Sequence, residues 1–300
     1  MGAGAVGCYY GGMLARSGCD VTLVGRATHV EAVRRNGLRV EHKDFDARFP
    51  VKAAGDASGV RGARLVLFTV KSQDTERAGG EMKSFLEPGA AILSLQNGVD
   101  NAERLAALLG REVIGGCVYA AVEMAGPGHV KWHGRGELVI GLSENSEWIA
   151  AAMRTAGIPV EVSANIAGML WAKLVMNCAY NALSALAQQP YGKLVQGAGV
   201  PEMMDRIVDE CLAVARAEGV AIPGDLHAAA RRIAETMPNQ FSSTAQDLAK
   251  GKPTEIEHLN GVVARKGEAL GIATPLNASL FALVKVVELK RAGKSVSDTD

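Results

Sequence analysis

The sequence predicts an α/β N-terminal half built on a doubly wound, largely parallel sheet, followed by an all-helical C-terminal half. Three observations carry that reading. Gly2, Gly4 and Gly7 form a GxGxxG turn, with a helical stretch at 6–17 and a strand at 20–24 behind it. The runs 64–70 and 90–95 are short and strongly apolar, as strands buried on both faces must be. Beyond Ser163 the apolar spacing becomes helical almost throughout. A division into 1–163 and 164–300 follows, and 300 residues suffice for two cores.

Composition narrows the function classes. Hydrophobic residues make up 48% of the chain and charged residues 21%, the balance of a globular protein with large cores. Lys+Arg and Asp+Glu both number 32, so the net charge is zero. That argues against nucleic acid or a membrane surface as a partner recognised through bulk charge. Cys8, Cys19, Cys117, Cys178 and Cys211 form no CxxC pair, as expected of reduced thiols in a cytoplasmic protein. No basic segment followed by an apolar run opens the chain, so no signal peptide is expected. Residues 166–186 are apolar enough to consider as a membrane span. Lys173, Asn177 and Asn181 interrupt them, and a buried helix with polar work to do is expected instead.

The glycine turn is the one that lets a helix N-terminus approach a dinucleotide pyrophosphate. Its first glycine permits the tight turn, its second the close backbone approach, its third the packing of helix on strand. Residues Gly2, Ala3, Gly4, Ala5, Val6 and Gly7 are therefore candidate cofactor contacts, and Gly18 ends the helix. The strand that should feed this turn would precede Met1, so the expected domain is Rossmann-type with its first strand missing from the chain.

After the second strand comes Gly25-Arg26, with no carboxylate to accept from a ribose 2′-hydroxyl. A guanidinium suits a 2′-phosphate, and NADPH is the expected cofactor; a solvated loop arginine is the plainer alternative. Lys71 follows the 64–70 strand at the end where α/β sheets meet ligands, although a merely solvated lysine fits equally well. Gln96-Asn97-Gly98 follows the next strand, which sets Asn97 at the cofactor crevice. Asp100 is expected to cap a helix that Gly110 stops. Three further strands are expected at 112–123, 129–133 and 137–140, with a turn at 125–128. His129 and His133 are four apart, but on strands that spacing clamps no metal, and none is expected. A helix at 146–156 and a strand at 158–162 close this half.

The helical half opens with one long helix, 165–188, ended by Pro190. Lys173, Asn177 and Asn181 recur in it at intervals of four, so all three line one face. Burying them is costly unless something polar fills the space between them, a ligand or an inter-helix hydrogen-bond network. Helices from Pro201 to Glu218 and from about Asp225 to Met237 follow. Ser242-Ser243 opens a short helix whose start would suit a carboxylate, or would simply be capped by a serine. Thr254-x-x-Glu257 reads as a capping box, leaving Glu255 in the first helical turn. Thr274-Pro275 starts the last helix, and the final ten residues read as a frayed polar tail.

Taken together and in order, several motifs resemble the ketopantoate reductase (2-dehydropantoate 2-reductase) family. They are GAGAVG, Arg26, Val70-Lys71, Gln96-Asn97-Gly98, Trp171-x-Lys173-Leu174-x-x-Asn177, Ser242-Ser243-x-x-Gln246-Asp247 and Thr254-Glu255-Ile256-x-x-Leu259-Asn260-Gly261. The resemblance implies an enzyme of pantothenate biosynthesis that reduces ketopantoate to pantoate with NADPH. It implies Lys173 as the general acid in a dry cleft between two domains, with Glu255 orienting it and gripping the substrate hydroxyl. Asn97, Asn177 and Asn181 would hold substrate and lysine in register, and Ser243 would bind the carboxylate. Gly2, Gly4, Gly7, Arg26 and Lys71 would hold NADPH. A small 2-keto acid is the implied partner, and a homodimer is compatible with the sequence.

Three rivals stand beside this reading. A paralogue could reduce another 2-keto acid or ketone with the same lysine. A two-domain 3-hydroxyacid dehydrogenase would share the glycine turn and a lysine but not the Ser243 and Glu255 motifs. A non-catalytic NADP(H)-sensing module would need neither Lys173 nor Glu255. The absent first strand generates its own expectation. A chain beginning at Met1 should be poorly soluble or bind NADPH weakly, and an N-terminal extension of about five to seven residues should restore both. Melting temperature and NADPH affinity, measured side by side for the two forms, check this; equal values would contradict it.

Overall fold

The computed structural model describes residues 1–291. The chain divides into two compact units, Met1–Ile166 and Ala167–Asp300. The first opens with helix α1 (Ala5–Arg16), strand β1 (Thr22–Val24), helix α2 (Ala27–Asn36) and strands β2 (Leu38–His42), β3 (Phe45–Phe49) and β4 (Lys52–Ala54). It continues through β5 (Leu65–Phe68), α3 (Thr75–Lys83), β6 (Ala91–Ser94), α4 (Asn101–Leu109), β7 (Ile114–Gly126), β8 (His129–Gly141), α5 (Ser146–Thr155) and β9 (Val160–Ser163). The strands form a seven-stranded sheet in the order β3-β2-β8-β7-β6-β5, with β9 paired to β8, and a separate parallel pair β1-β4. β5, β6 and β7 run parallel, whereas the long β7-β8 hairpin is antiparallel.

Alternation explains how the sheet is covered on both faces. Val66 and Phe68 of β5 and Ile92 of β6 pack with Met82, Leu105 and Leu109 from α3 and α4. Leu65, Leu67 and Leu93, pointing the other way, pack with Tyr10, Met13 and Leu14 of α1 and Ile149 and Met153 of α5. A strand's side-chain period of two divides one apolar run between two cores. β1 and β5, which should flank a central strand, do not pair with each other. Met1–Ala3 lies between them instead: Gly2 and Ala3 N–H both donate to Val24 O, and Thr69 N–H donates to Met1 O. Met1 N also donates, to Leu67 O at 2.8 Å.

The structure corrects several expectations. Residues 129–133 and 137–140 belong to one strand, β8; Gly134, Arg135 and Gly136 take positive φ in a bulge, so the Gly-Arg-Gly that reads as a break only kinks the ladder. His129 sits beside Glu41 and His133 beside Glu123. Asp100 precedes α4 in helical conformation, and its side chain caps nothing; it lies 3.7 Å from Arg104 instead. Elements α2, β2–β4 and α3 lie in stretches where the sequence pattern offers no strong period.

The second unit contains α6 (Ile166–Ala187), α7 (Tyr191–Leu194), α8 (Val200–Ala217), α9 (Leu226–Thr236), α10 (Ser243–Ala249), α11 (Asn260–Leu270) and α12 (Pro275–Arg291). Among the described residues no helix is long and apolar enough to cross a membrane. Val175, Cys178, Ile207, Val208, Cys211, Val214, Val263 and Val284 are fully buried, joining α6, α8, α11 and α12 in a core. α8 begins one residue earlier than expected, with Gly199 in left-handed conformation before it. The capping box is not formed. Thr254 Oγ1 accepts from Ile256 N–H, Thr254 N–H donates to Glu288 Oε1 at 2.7 Å, and Glu257 reaches toward Arg265 instead. Only a single 3₁₀ turn, Ile256–His258, follows, so Glu255 is not in the first turn of an α-helix. The polar tail expected at the last ten residues lies, from 292 onward, outside the described residues.

Candidate active site

In the first unit the glycine turn is set by close backbone approach. Gly2 has φ +106°, and a Cβ there would meet Thr69 C and Val70 N at 2.7 Å. A Cβ on Gly7 would collide with the Gly2 carbonyl oxygen and with Thr69 Oγ1. Gly4, the residue before α1, has nothing within 4 Å of a Cβ, so its face is open. Two glycines are thus required by the protein's own packing, and the third leaves room for something else. α1 has no side-chain cap and no acidic residue in its first turn, which leaves its N–H groups and positive dipole end to an anion. The turn is a cradle that fits a dinucleotide pyrophosphate.

The other residues predicted to bind cofactor gather at the same end of the sheet. Arg26 is exposed at the start of α2, one residue past Gly25, whose missing Cβ lets Ala3 pack at its Cα. Lys71 is exposed directly after Thr69 and Val70, the residues against which Gly2 packs. Asn97 is half-buried, and its carbonyl accepts from Ser72 Oγ at 2.9 Å and Asn101 Nδ2 at 2.5 Å. Gln96 Nε2 donates to Val70 O and Thr75 Oγ1, tying the Asn97 loop to the Lys71 loop. Arg104 closes the group, with a two-pronged pair to Glu76 and a bond to Ser72 O. Burial opposes its charge, but Glu76 and Asp100 outweigh that and raise its pKa. Sequence reading missed Ser72, Thr75, Asn101 and Arg104. The signal of Ser72, Thr75 and Asn101 is a cluster of small polar residues placed shortly after two apolar strands; Arg104, inside α4, carries none.

In the second unit Lys173 and Asn177 are half-buried on α6, and Asn181 is buried with 3% of its surface exposed. The cap of α10 is Ser242, not Ser243. Ser242 Oγ accepts from Ala245 N–H at 3.0 Å and donates to Asn181 O at 3.2 Å, while Ser243 is exposed at the first helical position. Asn260 Nδ2 donates to Cys178 O, which docks the segment after Glu255 beside Asn177 and Cys178. Glu255 itself is 8% exposed. The loop bearing it is pinned by Glu288, another residue the sequence did not single out. Burial works against the Glu288 carboxylate, but its bonds from Thr254 and Lys285 prevail and lower its pKa. Lys173, Asn177, Asn181, Ser243 and Glu255 thus belong to three neighbouring segments of one helical unit. An open groove of about 510 Å³ lined by Ala264, Arg265, Glu268, Pro275 and Phe281 contains none of them.

A glycine cradle at the carboxyl ends of parallel strands, with a helical unit carrying a lysine among asparagines, defines a two-unit nicotinamide-dependent oxidoreductase. The sequence model of ketopantoate reductase PanE/ApbA matches residues 1–145, and that of the PanE/ApbA C-terminal region matches residues 165–288. The 2-dehydropantoate 2-reductase of Pyrococcus horikoshii is 33% identical, over 96% of each chain, and that of Archaeoglobus fulgidus 34% identical over the same shares. A crystal structure of a PanE/ApbA family ketopantoate reductase from Ralstonia eutropha JMP134 superposes with a TM-score of 0.95 at 58% identity, covering 97% of this chain and 98% of that one. The ternary structure of D-mandelate dehydrogenase with NADH and anilino(oxo)acetate superposes with a TM-score of 0.89 at 26% identity, with the same coverage. The chain belongs to the ketopantoate reductase family.

The glycine geometry generates a contrast. Gly7→Ala should lower the melting temperature of the unliganded protein, since overpacking of this kind costs about 1–3 kcal/mol. Gly4→Ala should leave that temperature unchanged within about 1 °C and weaken dinucleotide binding, because its Cβ projects into the open cradle. Thermal melts with and without cofactor check both; a Gly4→Ala protein that binds normally would contradict the assignment.

Proposed function

We propose that the protein reduces the 2-keto group of ketopantoate to give pantoate, with NADPH as the reductant, as a cytoplasmic enzyme. The observation that carries this reading is the Lys173-Asn177-Asn181 face of α6, a polar stripe on an otherwise apolar helix within the unit that also buries Glu255. The names of the curated relatives and the family match over residues 1–145 and 165–288 support the substrate.

Bound NADPH supplies the hydride that adds to C2. The protein's own residues handle charge and protons. Negative charge builds on the carbonyl oxygen as C2 is reduced, and the Lys173 ammonium stabilises that oxygen and protonates it. Asn177 and Asn181 keep the lysine side of α6 polar and orient the substrate, and Asn97 holds it from its loop. Ser243, exposed at the first position of α10, offers a hydroxyl beside free N–H groups to the carboxylate. Glu255, nearly buried, accepts the substrate hydroxyl and orients Lys173. Arg26 would receive the 2′-phosphate, Lys71 would contact the cofactor, and the 2–7 turn would hold the pyrophosphate.

A second reading has its own support. D-mandelate dehydrogenase shares the fold, and its structure holds NADH, so a related chain can serve another 2-keto acid and the other cofactor. Arg26, with no carboxylate beside it, favours NADPH here.

Two measurements test the proposal. Arg26→Ala should raise the KM for NADPH about tenfold or more while leaving that for NADH nearly unchanged, the worth of a lost charge-assisted contact. Equal losses for both cofactors would remove the 2′-phosphate role. Lys173→Ala should lower kcat for ketopantoate by about a hundredfold while NADPH still binds. Turnover near the wild-type value would take Lys173 out of the chemistry.

A further inference from the structure

The polar group beneath the Lys71 and Asn97 loops is larger than its packing needs. Ser72, Thr75, Ser94, Gln96 and Asn101 are all 7% exposed or less. Their bonds form one connected set. Ser94 Oγ donates to Gln96 Oε1 at 3.0 Å, and Gln96 Nε2 donates to Thr75 Oγ1 at 2.7 Å and Val70 O at 3.1 Å. Thr75 Oγ1 donates to Ser72 O at 2.9 Å. Asn101 Nδ2 donates to Ser72 Oγ at 3.1 Å and to Asn97 O, and Ser72 Oγ donates to the same Asn97 carbonyl. Arg104 Nη1 donates to Asn101 Oδ1 at 3.1 Å, which fixes which end of that amide faces Asn97.

Buried neutral polar groups gain little net stability over apolar ones of the same shape, because their bonds mainly replace bonds to water. What a fully bonded set does provide is a unique geometry. Here it converges on one atom. Two donors hold the Asn97 carbonyl, so the Asn97–Gly98 peptide plane is fixed, and the trans peptide turns the Gly98 N–H to the opposite side. Gly98 takes φ +103°, a value glycine adopts without strain, which lets the chain leave that fixed plane. The Asn97 side chain is therefore launched from a Cα whose backbone is held by its own carbonyl, with the preceding side chain tied to Val70 O.

We propose that Ser72, Thr75, Gln96 and Asn101 are positioning residues for Asn97, and that they set its side chain for the keto-acid substrate. The proposal rests on the reading above, in which Asn97 contacts substrate. None of the four touches the reacting atoms; their effect passes through Asn97.

A double-mutant cycle on the full chain tests this. Asn101→Leu keeps the volume and removes the two bonds that the Asn101 amide donates, to Ser72 Oγ and to Asn97 O. It should lower kcat/KM for ketopantoate about tenfold in the wild-type background but less than twofold in the Asn97→Ala background, with the NADPH dissociation constant changed less than twofold in both. Equal fractional losses in the two backgrounds, or no loss in the wild type, would overturn the proposal. Should Asn101→Leu fold poorly, Thr75→Val gives the same cycle with a milder change, and Thr75→Ser should recover most of the activity. A readout independent of turnover separates this inference from the substrate assignment. The Asn97 and Gly98 backbone amides should have NMR order parameters near 0.85 in the wild type, falling toward about 0.6 in Asn101→Leu. Unchanged order parameters would overturn the network. A wild type that ignores ketopantoate, with the loss of order still seen in Asn101→Leu, would instead overturn the substrate assignment.

Discussion

The contact on which the first unit depends is a backbone approach that tolerates no side chain. Gly2 lies against the Thr69–Val70 peptide, and Gly7 lies against Gly2 and the Thr69 hydroxyl. Thr69 Oγ1 donates to Gly2 O at 2.6 Å, which secures the turn to the end of β5. That pinning sets the start of α1, and α1 then carries Tyr9, Tyr10, Met13 and Leu14 into the core of one sheet face. The same pinning leaves Gly4 and the first N–H groups of α1 facing open space. An open face at the helix start and a well-packed core thus have one cause.

Both units place polar groups where apolar ones would pack more simply. In the first, a hydrogen-bonded set under β5 and β6 joins the loops of Lys71 and Asn97. In the second, Ser242, Asn260 and Glu288 anchor the starts of α10 and α11 and the Glu255 loop onto the framework around α6. The pattern is the same in each: residues proposed to meet a ligand sit on short segments, and buried side chains from neighbouring elements hold those segments. Rigid support of this kind limits the reorganisation needed when charge develops on a substrate oxygen.

Much of this was legible in the sequence where a period or a punctuating residue was strong. The glycine turn, the apolar strands β5 and β6, Gly110 after α4 and the four-residue spacing on α6 all depend on local geometry that the residues dictate. The short strands β2 to β4 did not announce themselves, because three to five residues are too few for a period to stand out. The Gly-Arg-Gly of β8 misled because glycine marks a bulge as readily as a break. Thr254 and Glu257 had the spacing of a capping box, but Glu288, distant in sequence, took the Thr254 N–H instead. The set around Asn97 was invisible for a similar reason. The bonds that tie its two loops together join residues 21 to 29 positions apart, and nothing in the local pattern says that Gln96 will find Thr75 or that Asn101 will find Ser72.

The central claim is that hydride passes to C2 of ketopantoate and that a proton is supplied to its oxygen. Turnover with NADPH carrying deuterium at the transferable C4 position, followed by mass spectrometry and proton NMR of the product, tests it most directly. Pantoate with a single deuterium at C2 is the expected result. Pantoate without that label, or no pantoate from enzyme that demonstrably binds NADPH, would contradict it.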